Sequence, residues 1–251
     1  MKPRLTLILI FCFFVLKSFG QRPDSIERDI SQSLSHARGT FYANDWSIAQ
    51  QAPGAYASFV TKLLHYTSTY PLTINYAFPL LRRPQMTILT SDDSLFRVYS
   101  WPMPIPGNVF QWKCENTTSS VFDTLRHVGE YCIQEFTVHT PDKTYYLCIF
   151  DRFVTSHLTK QGITAFVIQN GKLVDDVHLF KTSDSGLTDV IDFDISNSSA
   201  FRTGKWENES AFTFDAEKLI IESPQSIDSQ DNLVGHIVYK FNGRYFEQVK
   251  N

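Results

Sequence analysis

"ITAFVIQNGKLVDDV", Ile163 to Val177, is two apolar runs hinged on Asn170-Gly171. The runs are rich in β-branched residues, which suits strands, and an Asn-Gly pair tolerates positive φ at both central positions of a tight hairpin turn. The fold class follows from how often this pattern returns. "KTYYLCIFDRF" (Lys143–Phe153) precedes it across a polar loop. The same order of parts recurs in "EKLIIES" (Glu217–Ser223) followed by "GHIVYKFNGRYFEQV" (Gly235–Val249). "DDSLFRVYSW" (Asp92–Trp101), a proline-rich loop and "NVFQWKCE" (Asn108–Glu115) begin in the same way. Units of roughly forty residues in antiparallel order make either successive hairpins in one curled sheet or the blades of a small propeller. The expected class is mainly β, an antiparallel hairpin meander with two N-terminal helices.

Strands are expected at Met86–Leu89, Leu95–Trp101, Val109–Cys114, Cys132–Val138, Tyr145–Phe150, Ile163–Ile168 and Leu173–Phe180. Further ones are Val190–Ile195, Ala211–Phe214, Leu219–Glu222, Gly235–Phe241 and Arg244–Val249. At the last hairpin a two-residue loop, Asn242-Gly243, sets Phe241 opposite Arg244 and Tyr239 opposite Phe246.

The chain before residue 76 has the other periodicity. Ile26, Ile30, Leu34 and Ala37 share one helical face, with Asp24 and Glu27 spaced as a capping box and Gly39 as a stop. After Pro53-Gly54 a second helix, Ala55 to Tyr66, carries Tyr56, Phe59, Val60, Leu63 and Leu64 as a stripe to lie on a sheet. Ahead of both, Lys2 and Arg4 precede the apolar run Leu5–Leu16, and Ser18 and Gly20 stand three and one before Gln21. That is the layout of a cleaved signal peptide, too short to cross a bilayer comfortably. The domain plan is a signal peptide over 1–20, a helical lobe over 21–75 and a β domain over 76–251. Localisation is expected to be exported, periplasmic or extracellular, with no transmembrane segment after cleavage. A net charge of -3 and a pI near 6.2 argue against a nucleic-acid partner, which would require a basic face.

Past the leader three cysteines remain: Cys114, Cys132 and Cys148. Pairing about the turn Thr140–Lys143 sets Cys148 opposite residue 135 or 136, leaving Cys132 roughly 10 Å away, beyond the reach of a disulfide. Buried thiols are expected, with a bridge from Cys114 as the alternative.

Taken together, "TSDDSLFRVYSW" (Thr90–Trp101), "KTYYLCI" (Lys143–Ile149), "ITAFVIQNGKL" (Ile163–Leu173), "VYKFNGRYFEQV" (Val238–Val249) and the helix leading into "LLHYTSTYP" (Leu63–Pro71) resemble a family of exported β-rich proteins from Bacteroidetes bacteria. Ser94 stands where members tend to have Gly, and Pro102 where they tend to have an acidic residue. The resemblance implies a β-rich extracytoplasmic protein and brings no activity, catalytic residue or cofactor with it.

The chemistry-bearing residues form no recognisable motif. The histidines past the leader (His36, His65, His127, His139, His157, His178 and His236) lack zinc spacing, and no Gly-x-Ser-x-Gly elbow occurs. Catalytic residues, metal ligands and cofactors are therefore all predicted as none. Asp184, Asp189, Asp192 and Asp194 invite calcium, but Asp192 and Asp194 would stand about 7 Å apart on one strand face, too far to share an ion directly. Asp175-Asp176 reads as edge protection. Sequons at Asn116, Asn197 and Asn208 would be glycan acceptors only in a eukaryotic secretory protein. The candidate binding residues are Tyr99, Trp101, Phe110 and Trp112, which flank the loop Pro102–Gly107 and could stack on a sugar or peptide; the competing role is core packing. The expected function is an exported non-enzymatic binding or envelope-associated protein, with carbohydrate or another envelope protein as partner. The rivals are an extracytoplasmic hydrolase with a loop-built site and a secreted inhibitor- or immunity-like protein.

Overall fold

The computed structural model describes residues 22–81, 86–101, 106–115, 117–122, 130–153, 159–183, 186–195, 210–227 and 233–249. Residues 1–21, where the signal peptide is expected, most of the proline-rich loop, the three sequon asparagines, His127, His157 and Asp184 lie outside them. The architecture is mainly β, with antiparallel sheets, no closed barrel and two long helices before the first strand.

Helix α1 spans Pro23–Phe41, a single turn α2 spans Trp46–Ala49, and α3 spans Ala52–Thr69. Ile26, Ile30 and Leu34 of α1 meet Phe59 and Leu63 of α3 in one fully buried seam, as the 3.6-residue stripe predicts. Asp29 fastens the pair, accepting from Lys62 Nζ and from the Tyr66 hydroxyl, each at 2.7 Å. The capping box does not form. Arg22 is the N-cap and Pro23 opens the helix, while Glu27 is buried and accepts from the backbone N–H groups of Leu80 and Leu81. Burial redirects this carboxylate: its strongest unmet partners are amide protons on the segment crossing over α1, not those of its own first turn. Nor does Gly39 stop α1, which runs two residues further.

The strands form three sheets rather than one. Sheet 1 is a meander of β1 (Thr87–Thr90), β2 (Phe96–Trp101), β3 (Gly107–Cys114) and β4 (Thr117–Phe122). Sheet 2 comprises β5 (Glu130–His139), β6 (Thr144–Phe153), β7 (Thr159–Gln169), β8 (Lys172–Val174) and β11 (Val190–Asp194), ordered β11-β7-β6-β5 with β8 also on β7. Sheet 3 takes β9 (Phe180–Lys181), β10 (Leu187–Thr188), β12 (Thr213–Asp215), β13 (Ile220–Ile227), β14 (Leu233–Phe241) and β15 (Phe246–Gln248). Its order is β10-β9-β15-β14-β13-β12, with a short parallel contact between β15 and β9.

Helices, sheet 1, sheet 2 and sheet 3 stack as four layers. One core lies between the helices and sheet 1, a second between sheets 1 and 2, and a third between sheets 2 and 3. Among the described residues no core joins sheet 3 back to sheet 1, so the repeat reads out as a linear stack and not as a propeller. Sheet 2 is covered on both faces. This explains why Tyr145–Phe150 of β6 is a continuous apolar run rather than an alternating one.

The two Asn-Gly pairs behave differently. Asn170 and Gly171 have φ of 51° and 74° and join Gln169 to Lys172 as the tight two-residue turn expected. At the last hairpin, by contrast, Phe241 pairs with Phe246 and Tyr239 with Gln248, so the loop is Asn242–Tyr245. The Asn242 side chain accepts from the N–H groups of Arg244 and Tyr245, both at 3.1 Å, and this local capping stabilises the longer turn. The expected strand Leu173–Phe180 is broken: β8 ends at Val174, and Phe180 begins β9 in another sheet.

A candidate ligand cleft between sheets 1 and 2

Strand alternation decides which aromatic side chains reach a surface. Along β2, Tyr99 and Trp101 turn to the helices, while Phe96 and Val98 turn to sheet 2. Val98 pairs with Phe110 and Tyr99 with Val109, so Phe110 and Trp112 project from the sheet-2 face of β3. The four aromatics predicted to flank one groove are therefore divided two and two.

Tyr99 and Trp101 are core residues, each 0 % exposed. The Trp101 indole N–H donates to the Tyr56 hydroxyl at 3.0 Å, and its ring meets Phe59 edge-on at 5.0 Å. Gly107 allows this: a Cβ there would stand 2.7 Å from the indole. The Tyr99 hydroxyl lies 2.9 Å from both Thr73 O and Gln111 Oε1, and burial pushes its pKa up to about 12 despite the nearby Arg97 guanidinium. Arg97 in turn donates to Thr73 O at 2.6 Å and lies over the Phe78 and Tyr99 rings. This network fastens the segment after α3 onto sheet 1.

Phe110 and Trp112 line an open cleft of about 270 Å³ together with Val121, Phe166, Lys172, Leu173 and Asp175. The wall is carbon from four elements, with one cation and one carboxylate at the mouth. Phe110 and Phe166 lie 4.9 Å apart at its base. Trp112 is half-buried, and its indole N–H donates to Gly171 O at 2.9 Å, which fixes the ring plane against the β7–β8 turn. The segment beyond Asn170-Gly171, where Asp175-Asp176 is expected to protect an edge, supplies Lys172, Leu173 and Asp175. Their partnership with Phe110 is a long-range contact that strand spacing alone does not reveal.

Two other grooves fall at the seams of sheet 3. One of about 440 Å³ includes Lys143, Tyr145, Asp176, His178, Arg244 and Tyr245. His178 Nδ1 and Asp176 Oδ1 stand 3.5 Å apart there, both more than half exposed. The Thr140 hydroxyl in the same groove donates to Lys143 O at 2.7 Å, so the turn already uses it. The other, about 450 Å³, includes Asp192 and Asp194. Asp192 accepts from Arg152 Nη1 at 2.8 Å, and Arg152 Nε lies 2.9 Å from Glu130. The guanidinium therefore supplies the positive charge that a cation would have supplied. Among the described residues no group of three His, Cys, Asp or Glu side chains is placed to hold a metal ion.

Sheet 2 also carries acids that sequence reading passed over. Burial pushes Glu135 up to about 7, against a hydrogen bond from Thr137; the charges of Asp92 and Asp93 add to the rise. Burial likewise raises Asp151 to about 6, partly offset by hydrogen bonds from Tyr131 and Gln161.

Among the described residues no helix is long and apolar enough to cross a membrane. Comparison with protein-family models, with curated proteins and with solved structures finds no match to this chain.

Proposed function

We propose that this protein is an exported, non-enzymatic binding module that holds a saccharide ring in the cleft between sheets 1 and 2. The observation that carries the reading is Trp112: a half-buried indole, locked by Gly171 O, on the rim of a cleft that Phe110 and Phe166 floor. A flat aromatic surface covers the carbon face of a pyranose with little loss of side-chain freedom, and Lys172 and Asp175 bring polar groups to the same cleft. Export is supported by Lys2 and Arg4 before the apolar run Leu5–Leu16 and by the small residues Ser18 and Gly20. In the His178 groove the Thr140 hydroxyl is already engaged with Lys143 O, which weighs against its service as a hydrolase nucleophile.

The test is a glycan panel followed by titration calorimetry on any hit, with Trp112→Ala and Trp112→Phe in parallel. The expected result is a loss of about tenfold or more for the alanine variant, roughly 1.4 kcal/mol, and partial retention by phenylalanine. Equal binding by Trp112→Ala would remove the cleft from consideration.

A second reading, a protein-binding partner, has its own support at the other end of the molecule. Phe41, Tyr42, Trp46 and Ile48 are all exposed at the α1–α2 corner, Trp46 by 76 %. Aromatic residues so displayed are characteristic of interface anchors.

A further inference from the structure

Two cysteines of the middle sheet are closer than their spacing in sequence suggests. β5 and β6 pair Cys132 with Phe150 and Glu135 with Cys148, and the register shifts between Cys132 and Gln134, which leaves Ile133 as the extra residue of a bulge. Counted along β6, Cys132 is two residues from Cys148 rather than three or four. Both lie on the face turned to sheet 1, in one core, each 0 % exposed. Diagonal neighbours of this kind stand about 7–8 Å apart across an antiparallel pair, somewhat less between Cβ atoms, and a bulge adds local twist. The Cys132 thiol donates to Gln134 O at 3.3 Å, and burial, with the neighbouring Cys132 adding to it, raises the Cys148 thiol pKa. Cys114 is separate: it lies at the end of β3, half-buried, near Gly171.

We propose that Cys132 and Cys148, both thiols in this structure, close a disulfide across β5 and β6 when the chain folds in the presence of a disulfide oxidant. One cysteine thiolate attacks the external disulfide, expelling one small thiol and forming a mixed disulfide. The second cysteine thiolate then displaces the other small thiol. Two protons leave the protein thiols, and the two electrons leave with the reduced oxidant. A small closing motion at the bulge brings the two Cα atoms below the about 7 Å that a bridge requires. The exchange belongs to folding rather than to the finished molecule, because the completed core shields both sulfurs and burial holds the Cys148 thiol in its protonated form. The bridge would tie the β5–β6 hairpin at the bulge, where the ladder is interrupted.

The test refolds the full chain from denaturant in a glutathione/glutathione-disulfide buffer, blocks remaining thiols and maps the peptides by mass spectrometry. The expected result is a linked pair of peptides carrying Cys132 and Cys148, with Cys114 blocked. The Cys114→Ser variant should give the same link. Blocked Cys132 and Cys148, or a link from either to Cys114, would overturn the proposal. Because the oxidant is supplied in the buffer, the outcome is independent of whether the chain is exported and of whether the cleft binds a sugar.

Discussion

Asp151 shows what a single buried carboxylate does to the energetics of this stack. It lies on β6, is 1 % exposed, and has one carboxylate oxygen without a partner. Its pKa rises from 3.8 to about 6 because burial penalises the charged form more than Tyr131 and Gln161 compensate. Between roughly pH 4 and 6 the folded protein keeps a proton that the unfolded chain has released. The contribution of Asp151 to stability is therefore full below about pH 4 and is lost as pH rises through about 6. Asp151→Asn should stabilise the protein at pH 7 by about 1–3 kcal/mol and flatten the pH dependence of urea unfolding between 4 and 6. Glu135, raised to about 7, acts in the same direction and sustains a residual slope above that window. An unchanged profile in Asp151→Asn would show that this carboxylate is solvated in solution.

At the scale of the element, the contrast between Asn170-Gly171 and Asn242-Gly243 shows which part of a hairpin local sequence specifies. Both dipeptides turn the chain, yet only the first makes a two-residue loop. The longer loop slips the pairing by two residues, so every side chain keeps its face and the core is unaffected. That is why the strands of this hairpin were legible and its register was not. Asn242→Ala should cost about 1–2 kcal/mol, since two loop N–H groups lose their acceptor, and chemical denaturation measures it directly. An unaltered midpoint would mean that the Phe241–Phe246 ring contact, at 5.2 Å, holds the loop alone. Strand β4 was missed for another reason. Its residues Thr117–Phe122 are mostly small and hydroxylated, and its place is fixed by its ladder to β3, with Ser120 also donating to Leu64 O on α3 at 3.2 Å. Such a composition carries no alternating apolar signal. The cleft was half legible: Trp112 and Phe110 share a face by simple alternation, but the turn of Tyr99 and Trp101 to the helices depends on the β2–β3 register, which lies beyond local pattern.

Across the whole molecule, two tryptophans at the same helical end of the stack separate folding from display. Trp101 fills the core beneath α3, and Trp46 stands out from α2. Trp101→Ala should cost about 3–5 kcal/mol, whereas Trp46→Ser should leave the unfolding free energy within about 0.5 kcal/mol. Equal losses would show that Trp46 serves the fold, and the partner-binding reading would go with them. The four-layer order also locates each role. The outer helical layer carries the displayed corner, the seam between sheets 1 and 2 carries the cleft, and the central sheet carries the buried acids and the paired thiols.

The enclosure of the middle sheet has one more consequence, for the chain before it folds. Tyr145–Phe150 is six uncharged residues of high strand propensity without glycine or proline, and the finished molecule hides all of them from water. A newly made polypeptide exposes that hexapeptide until layers on both sides arrive, and such a segment is prone to cross-β self-association. Lys143 on one side and Asp151-Arg152 on the other flank it with charge, as gatekeepers do. The same six letters that seat the central sheet are the ones the unfolded chain has to keep apart from other copies.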